Sequence, residues 1–297
     1  MRCRELDRAD LPALLALQHA IAGSGPEWSM DTLQSQLFSP ARGGGRNVLV
    51  VERDGAVVGA AGWVDAGREF FGSPMIAPDA DVAGVLIDAL AARARAGGTA
   101  WLRIGCGDGE PGLHSALVTM DFRVINSFLT LVRKPETKTS QIPGGLVRVP
   151  LSELAIGRLR DLHNDTFAGL SNAVAMDVEQ TRHTREHAWS DGSGVWLDAG
   201  GHDRAFVWAL LDRDQRGKHV LVDAIGVRAE SRRLGVAGAI VDWVMDASFR
   251  AGAAEVRALV AADNAPSLAL HARAGFRERS RREMFQLDLT TVIPIRS

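Results

Sequence analysis

Hydrophobic and polar residues recur along the chain in the periods of short strands and amphipathic helices. Each half opens with a predicted strand and helix, at 2–6 with 11–22 and at 146–150 with 153–167. A predicted strand hairpin follows in each half, at 48–52 with 57–63 and at 195–198 with 205–211. Each half then has a periodic helix, a further strand and a final helix. Mixed strands and helices in this order predict an α/β (α+β) fold.

The recurrence of the same element order indicates a duplication. A polar, proline-containing stretch separates the two halves. We therefore expect a domain at 1–134, a linker at 135–145 and a second domain at 146–297. Four residues of each half also share one mutual spacing: Pro78, Asp81, Gly84 and Leu86 in the first, and Ala229, Arg232, Gly235 and Ala237 in the second.

The composition and net charge exclude several classes of partner and binding site. The chain has 297 residues, with 34 basic and 36 acidic side chains and a formal charge of -2, so we expect neither nucleic acid nor a membrane as partner. Two cysteines are too few for a cysteine-rich zinc site, and we expect no metal. No apolar run is long enough to span a bilayer. We expect a cytoplasmic protein, either a monomer or a homodimer.

A turn between a strand and a helix carries the candidate chemistry. The apolar stretch 219–227 predicts a buried strand, and Ile240, Trp243, Val244 and Ala247 fall at helical spacing beyond it. Between them, the small-residue turn at 232–238 presents backbone N–H groups and the positive end of a helix dipole. Gly235 and Ala237 allow close approach, which predicts a pyrophosphate-binding turn. A tight turn without ligand is the alternative.

Two motifs together resemble the GNAT (Gcn5-related) acyltransferase superfamily. The run V-x-A-x-x-R-R-L-G-V-A at 227–237 is similar to that family's V-x-P-x-x-[RQ]-x-x-G-x-[GA], and N-A-P-S-L-A-L-H-A-R-A-G-F at 264–276 is similar to its second motif. The whole chain resembles a tandem GNAT protein, an arrangement shared with mycothiol synthases. The resemblance implies two GNAT-like domains, each with a mixed sheet, and acetyl-CoA lying where the sheet splays apart.

The resemblance also implies binding positions for acetyl-CoA. The turn would hold the pyrophosphate through its backbone, Val227 would contact the pantetheine arm, and Asn264 would orient the thioester end. Arg232 and Arg233 could pair with the 3′-phosphate. The complete set is Ile225, Val227, Arg232, Arg233, Leu234, Gly235, Val236, Ala237, Gly238, Asn264 and Ser267.

Two residues are candidates for proton transfer. His271 stands where the family commonly has a tyrosine that protonates the CoA thiolate, and it is either that acid or a half-buried structural residue. Asp223 lies within the strand, and strict alternation puts it on one face with Ile225 and Val227, where apolar surroundings would raise its pKa. It is either the general base or a structural carboxylate. Other titratable groups fall in the first two helices of this half, where the family builds the acceptor pocket: His163, Asp177, Glu179, His183 and His187.

The first half is expected to be a degenerate copy. The shared spacing puts Asp81 where the arginine belongs and Leu86 where a small residue is needed, so it predicts no pyrophosphate site there. The implied activity is transfer of acetyl from acetyl-CoA to the primary amine of a small polar metabolite, by direct attack. One alternative is acetylation of a cysteinyl amine, as in mycothiol synthases, and another is a non-catalytic CoA-binding sensor. A third is aminoacyl transfer from tRNA, which the absence of a net positive charge disfavours.

Overall fold

The computed structural model describes residues 1–21, 28–137, 142–170, 173–214 and 217–290, which form two compact units. Unit 1 comprises Met1–Phe128 and Ser280–Ser297, and unit 2 comprises Leu129–Arg279. Residues 138–141 of the expected linker, Ala22 of the first predicted helix and the final seven residues lie outside the described part. Among the described residues, no helix is long and apolar enough to cross a membrane.

Unit 1 is a mixed sheet with helices on both faces. Its strands are β1 (Arg2–Glu5), β2 (Val48–Arg53), β3 (Ala56–Asp65), β4 (Glu69–Ile76) and β5 (Trp101–Gly107). Its helices are α1 (Leu11–Ile21), α2 (Met30–Leu37), α3 (Ala80–Ala96) and α4 (Pro111–Thr119). One core holds the buried side chains of α3 and α4, and a second holds those of α1 and α2. The strand hairpin and helices predicted from the periodicity of this half are all present.

Unit 2 repeats this plan. After β6 (Arg123–Arg133), its strands are β7 (Val147–Val149), β8 (Gly194–Leu197), β9 (Asp203–Asp214), β10 (Gly217–Val227) and β11 (Glu255–Ala261). Its helices are α5 (Ile156–Phe167), α6 (Val178–His187), α7 (Val236–Arg250) and α8 (Ala265–Arg273), and β12 (Arg277–Asp288) ends the described chain. The apolar side chains of α7 cover one face of the sheet and those of α5 the other.

Each unit includes one strand from the other predicted domain. In unit 1 the order is β1-β2-β3-β4-β5-β12, and β12 pairs antiparallel with β5 from Arg282 to Asp288. In unit 2 the order is β6-β11-β10-β9-β8-β7, so a strand preceding the predicted linker lies beside β11. Hydrophobic periodicity identifies both strands but not their partners, because strand pairing over such separations depends on tertiary packing.

The C-terminal strand is therefore part of the core of unit 1. Phe285 is 2% exposed and Leu287 is 7% exposed, and both belong to the core formed with α3 and α4. We expect Leu287→Ala to lower the free energy of unfolding by about 2 kcal/mol, because it leaves a cavity in that core. Urea denaturation measures this change. Leu289→Ala, which alters a partly buried neighbour of the same core, is the control and should cost clearly less. Equal losses would contradict the assignment of Leu287 to the core.

Candidate active site

The sheet of unit 2 opens between β10 and β11. The two parallel strands pair from His219 with Glu255 to Val222 with Ala258. No later pair forms within the described residues, although β10 continues to Val227 and β11 to Ala261. Beyond Val222 the edge of β10 that faces away from β9 therefore has no strand partner. This is the splayed sheet that the resemblance implies, and it leaves backbone groups available to an extended ligand.

Asp223 lies at the point where the strands part. A β-bulge between Val222 and Ala224 interrupts the pairing of β10 with β9, and Asp223 is the extra residue. The bulge reverses the alternation, so Val222 and Ile225 contribute to the same core while Ala224 faces α5. The sequence prediction of one shared face for Asp223, Ile225 and Val227 needs correction for this reason. Strict alternation of faces along a strand does not hold across a bulge, because the extra residue moves every later side chain to the opposite face.

The carboxylate of Asp223 has no hydrogen-bond or ion-pair partner among the described residues. The side chain is exposed at the opening. Nevertheless, the surrounding protein displaces enough water to raise its pKa above the ordinary value of 3.8, and no nearby cation opposes this effect. An unpaired carboxylate with a raised pKa can accept a proton near neutral pH. The role of general base for Asp223 stays a prediction.

The predicted pyrophosphate-binding turn joins β10 to α7. Gly235 is the N-cap of α7, with φ +82°, and no side chain caps the helix. The N–H groups of Val236, Ala237 and Gly238 have no acceptor among the described residues, because they precede the first intrahelical hydrogen bond. Open space surrounds Gly238 on the side where a Cβ would project. The turn thus presents several free donors at the positive end of a 15-residue helix.

Side chains of the turn differ in what they can contribute. Val236 is buried in the core of unit 2, so only its backbone is available to a ligand, whereas Leu234 is 60% exposed. Arg232 folds back on the protein, where its Nε donates to the carbonyl of Val227 at 3.0 Å and Nη2 to that of Thr166 at 3.5 Å. Arg233 has a left-handed backbone, with φ +64°, and an exposed side chain. Arg233 is therefore the freer partner for a 3′-phosphate.

An ion-pair network holds the connection that leads into the turn, and no sequence pattern predicted this network. Arg228 Nη2 lies 2.6 Å from Asp203 Oδ2, and Nη1 lies 2.7 Å from Asp165 Oδ2. Arg158 Nε pairs with the other oxygen of Asp203 at 2.7 Å. These contacts tie the turn to α5 and to β9. Adjacent acidic and basic residues occur throughout the sequence, so no local signal distinguishes this set.

Leu259 is a second residue that the sequence analysis missed. It is 55% exposed on the part of β11 that no longer pairs with β10, and the residues on either side of it in the strand are buried. An exposed leucine at this place gives the opening an apolar wall. The predicted positions Ile225 and Val227 are half-buried on β10, beside the same opening.

Asn264 and Ser267 form the hydrogen bond that caps the N-terminus of α8. Asn264 is the N-cap, and its Oδ1 accepts from the N–H of Ser267 at 3.1 Å. The carbonyl of Ser267 in turn accepts from Nδ1 of His271 at 2.8 Å. Both predicted ligand positions therefore have structural hydrogen bonds, and the amide nitrogen of Asn264 has no protein acceptor among the described residues.

His271 is a buried, neutral histidine. It is 2% exposed, and its ring meets Phe276 edge-on with centroids 5.1 Å apart. Because a carbonyl can only accept, Nδ1 carries the proton, and Nε2 is buried without a partner among the described residues. Burial lowers the pKa of His271 below its ordinary 6.5. The imidazolium needed to protonate a thiolate is therefore disfavoured, and the geometry supports the structural alternative.

We expect His271 to remain the neutral Nδ1–H tautomer through neutral pH. The ¹⁵N shifts of the imidazole ring, followed from pH 8 downward, measure both tautomer and pKa. A folded pKa below 6.5 means that the unfolded chain takes up the proton first, so stability is lost as the pH falls below about 6.5. His271→Gln should remove this part of the acid sensitivity and change turnover less than tenfold. A pKa at or above 6.5 would restore His271 as the acid.

The titratable residues of α5 and α6 have structural partners. His163 stacks between Phe167 and Trp208, with centroids 4.7 Å and 5.1 Å away, and burial lowers its pKa. Asp177 caps α6, and Glu179 pairs with Arg182. The rings of His183 and His187 lie side by side. In the described part of the chain no three His, Cys, Asp or Glu residues form a group able to hold a metal.

Unit 1 has a similar opening but no comparable turn. Its parallel strands β4 and β5 pair as far as Gly72 with Ile104 and then continue separately. Only residues 77–79 join β4 to α3, and the carboxylate of Asp79 accepts from the N–H of Val82 at 2.8 Å. Asp81 and Leu86 lie inside α3, so their spacing-based equivalence to the turn of unit 2 is wrong. The helix start in unit 1 is nonetheless unsuited to pyrophosphate, because a carboxylate already occupies it.

Comparison with known proteins agrees with this geometry. Residues 157–276, from α5 to the end of α8, match the acetyltransferase (GNAT) family. A mycothiol acetyltransferase from Clavibacter sepedonicus is 34% identical over 124 residues, which are 39% of this chain and 40% of that protein. The chain thus matches less than half the length of this curated relative.

Two solved structures resemble nearly the whole chain. A GCN5-related N-acetyltransferase from Sphaerobacter thermophilus has a TM-score of 0.69 at 17% identity, covering 98% of this chain and 96% of the other. A tandem GNAT protein from the clavulanic acid biosynthesis pathway has a TM-score of 0.74 at 16% identity, covering 98% and 99%. At these identities the similarity concerns the fold alone. It confirms the predicted α/β class and the tandem arrangement.

Proposed function

We propose that unit 2, in which residues 157–276 match the acetyltransferase (GNAT) family, transfers an acetyl group from acetyl-CoA to the primary amine of a small polar metabolite. One observation carries the proposal: residues 228–235 connect the free N–H groups at the start of α7 to a strand, β10, whose edge without a strand partner begins at the unpaired carboxylate of Asp223, among the described residues. Asp223 and Val227 are separated by roughly 13 Å of extended strand. An extended pantetheine arm bridges a distance of that order.

In the proposed complex the turn at 232–238 holds the diphosphate, and Arg233 is available to the 3′-phosphate. The backbone edge of β10 at Ile225 and Val227 and the side chain of Leu259 receive the pantetheine arm. The thioester then lies near the point where the strands part, beside Asp223. In this placement the N–H groups of Val236, Ala237 and Gly238, which have no acceptor among the described residues, receive the diphosphate oxygens.

The reaction follows from this arrangement. The amine nitrogen attacks the thioester carbonyl and forms a tetrahedral intermediate. Asp223 accepts a proton from the nitrogen, directly or through a water molecule. When the intermediate collapses, the carbon–sulfur bond breaks and the thiolate takes a proton from solvent, because His271 is held neutral with its proton committed to Ser267.

A second acceptor class is favoured by one comparison. The relative from Clavibacter sepedonicus is named a mycothiol acetyltransferase, so a cysteinyl amine belongs among the candidate acceptors. The similarity covers only 40% of that protein, and the acceptor of this chain is a separate proposal.

Product analysis tests the function and separates the acceptors. The full chain is incubated with acetyl-CoA and a panel of amines that includes amino acids, amino sugars and cysteinyl compounds. Mass spectrometry of the N-acetylated product is the required readout, because cysteinyl acceptors carry thiols that disturb an assay of released CoA. Tight acetyl-CoA binding without any acetylated amine would instead indicate a non-catalytic CoA-binding module. Loss of product after ribonuclease treatment of crude acceptor would indicate aminoacyl transfer.

A further inference from the structure

Arg42 of unit 1 is held in a fixed place by neutral partners. It lies in the glycine-rich turn Pro40–Gly45, between α2 and β2. Its Nε donates to the carbonyl of Ser73 at 2.7 Å, and Nη1 donates to the hydroxyl of Ser39 at 3.0 Å. Both acceptors are uncharged, so the protein orients the guanidinium without neutralising it.

The neighbouring strand leaves room for this side chain. A Cβ added to Gly62 of β3 would lie 3.1 Å from both Cδ and Nε of Arg42, and 2.9 Å from the carbonyl oxygen of Ser73. Any larger residue at position 62 would displace the guanidinium. Because Gly62 has no side chain, the side chain of Arg42 can pack against β3 at this position.

The charge of Arg42 has no counterion within the described residues. No carboxylate pairs with it, and burial alone lowers its pKa to about 10. A guanidinium has five N–H donors, and the two described hydrogen bonds leave three available. Because removing a cation from water is costly unless an anion compensates, a half-buried, oriented and unpaired guanidinium is suited to receiving one.

The location of the guanidinium also points to a ligand. Ser73 is the first residue of β4 beyond its last pair with β5, and its carbonyl oxygen lies close to Gly62 of β3. Arg42 is therefore anchored on the β3 side of β4, next to the place where the sheet of unit 1 opens. The start of α3 offers no pyrophosphate site, because Asp79 caps it. Beside this opening the protein thus holds the oriented guanidinium of Arg42 in place of a row of free backbone donors.

We propose that Arg42 is the anchor of an oxyanion-binding site in unit 1, which receives the carboxylate or phosphoryl group of a small molecule. The planar guanidinium can donate two parallel hydrogen bonds to either group. Gly62 and Ser73 position Arg42, and Arg42 itself contacts the ligand. The inference is independent of acetyl transfer by unit 2.

Titration with simple anions tests the proposal on the full chain. Sodium acetate and sodium phosphate are added at constant ionic strength, balanced with chloride, and the thermal midpoint is measured. An anion that binds only the folded state raises that midpoint. Because phosphate can also bind at the start of α7, the Gly235→Glu variant serves as the background in which the turn of unit 2 is blocked.

We expect an oxyanion to stabilise both the wild type and Gly235→Glu, and to bind the double variant Gly235→Glu/Arg42→Met at least about tenfold more weakly than Gly235→Glu. Arg2→Met, which removes a charge from the exposed start of β1, is the matched control and should bind like the wild type. A response to acetate assigns the site to carboxylates, and a response to phosphate alone assigns it to phosphoryl groups. A response that survives in Arg42→Met and disappears in Gly235→Glu overturns the proposal.

A measurement on the wild type covers the case in which Arg42→Met fails to fold. The Nε–H resonance of Arg42, observed by ¹H–¹⁵N NMR, should shift saturably with acetate or phosphate. Resonances that remain unchanged in both titrations would overturn the site.

Discussion

Gly235→Glu is expected to weaken acetyl-CoA binding by about a thousandfold while the protein remains folded. Gly235 has φ +82°, a conformation that costs other residues about 1–2 kcal/mol, so some stability is lost. The larger effect is electrostatic and steric. A carboxylate beside the free N–H groups of α7 competes with the diphosphate for the same donors and repels it at short range.

Isothermal titration calorimetry with acetyl-CoA measures this loss. Gly84→Glu is the matched control, because it introduces the same side chain on α3, where open space surrounds the added Cβ. It should leave affinity and turnover unchanged. Gly235→Asn separates the two causes, since asparagine tolerates a left-handed backbone and carries no charge. Unchanged affinity in Gly235→Glu would remove the turn from the binding site and with it the main support for the proposed activity.

Asp223→Asn is expected to lower kcat by about a thousandfold, which lies within the usual range for loss of a general base. The KM for acetyl-CoA should change little, because the amide is nearly isosteric and lies away from the turn. In the wild type, turnover should fall as the pH drops through the raised pKa of Asp223, since protonation removes the base. The variant should lose this dependence on pH.

Thermal stability distinguishes a base from a structural carboxylate at Asp223. Because the folded-state pKa is raised, the folded protein binds this proton more tightly than the unfolded chain, and ionisation at neutral pH lowers stability. Asp223→Asn should therefore unfold at the same temperature as the wild type or higher. A structural carboxylate would instead show a lower midpoint with near-normal turnover. Asp177→Ala, which removes the side-chain cap of α6, is the control that should lower the thermal midpoint and leave turnover near normal.

The local elements and the turn between β10 and α7 could be predicted from the sequence. Apolar periodicity located α7 and the strand before it, and the small residues at 235–238 indicated a helix start that an anion can approach. These features depend on neighbours within a few residues, so propensity and spacing are sufficient. The same holds for the repeated order of elements in the two halves.

Features that depend on contacts between distant parts of the chain could be read only from the tertiary structure. Spacing alone placed Asp81 and Leu86 in a turn. In the structure only residues 77–79 connect β4 to α3, so the helix begins at Ala80 and both residues lie within it. Alternation could not reveal the bulge at Asp223, since a bulge depends on the register with β9. Burial lowers the pKa of His271, and the Ser267 carbonyl, which accepts from Nδ1, fixes the tautomer. The exchange of β6 and β12 depends on strand partners more than a hundred residues away, about which local sequence carries no information.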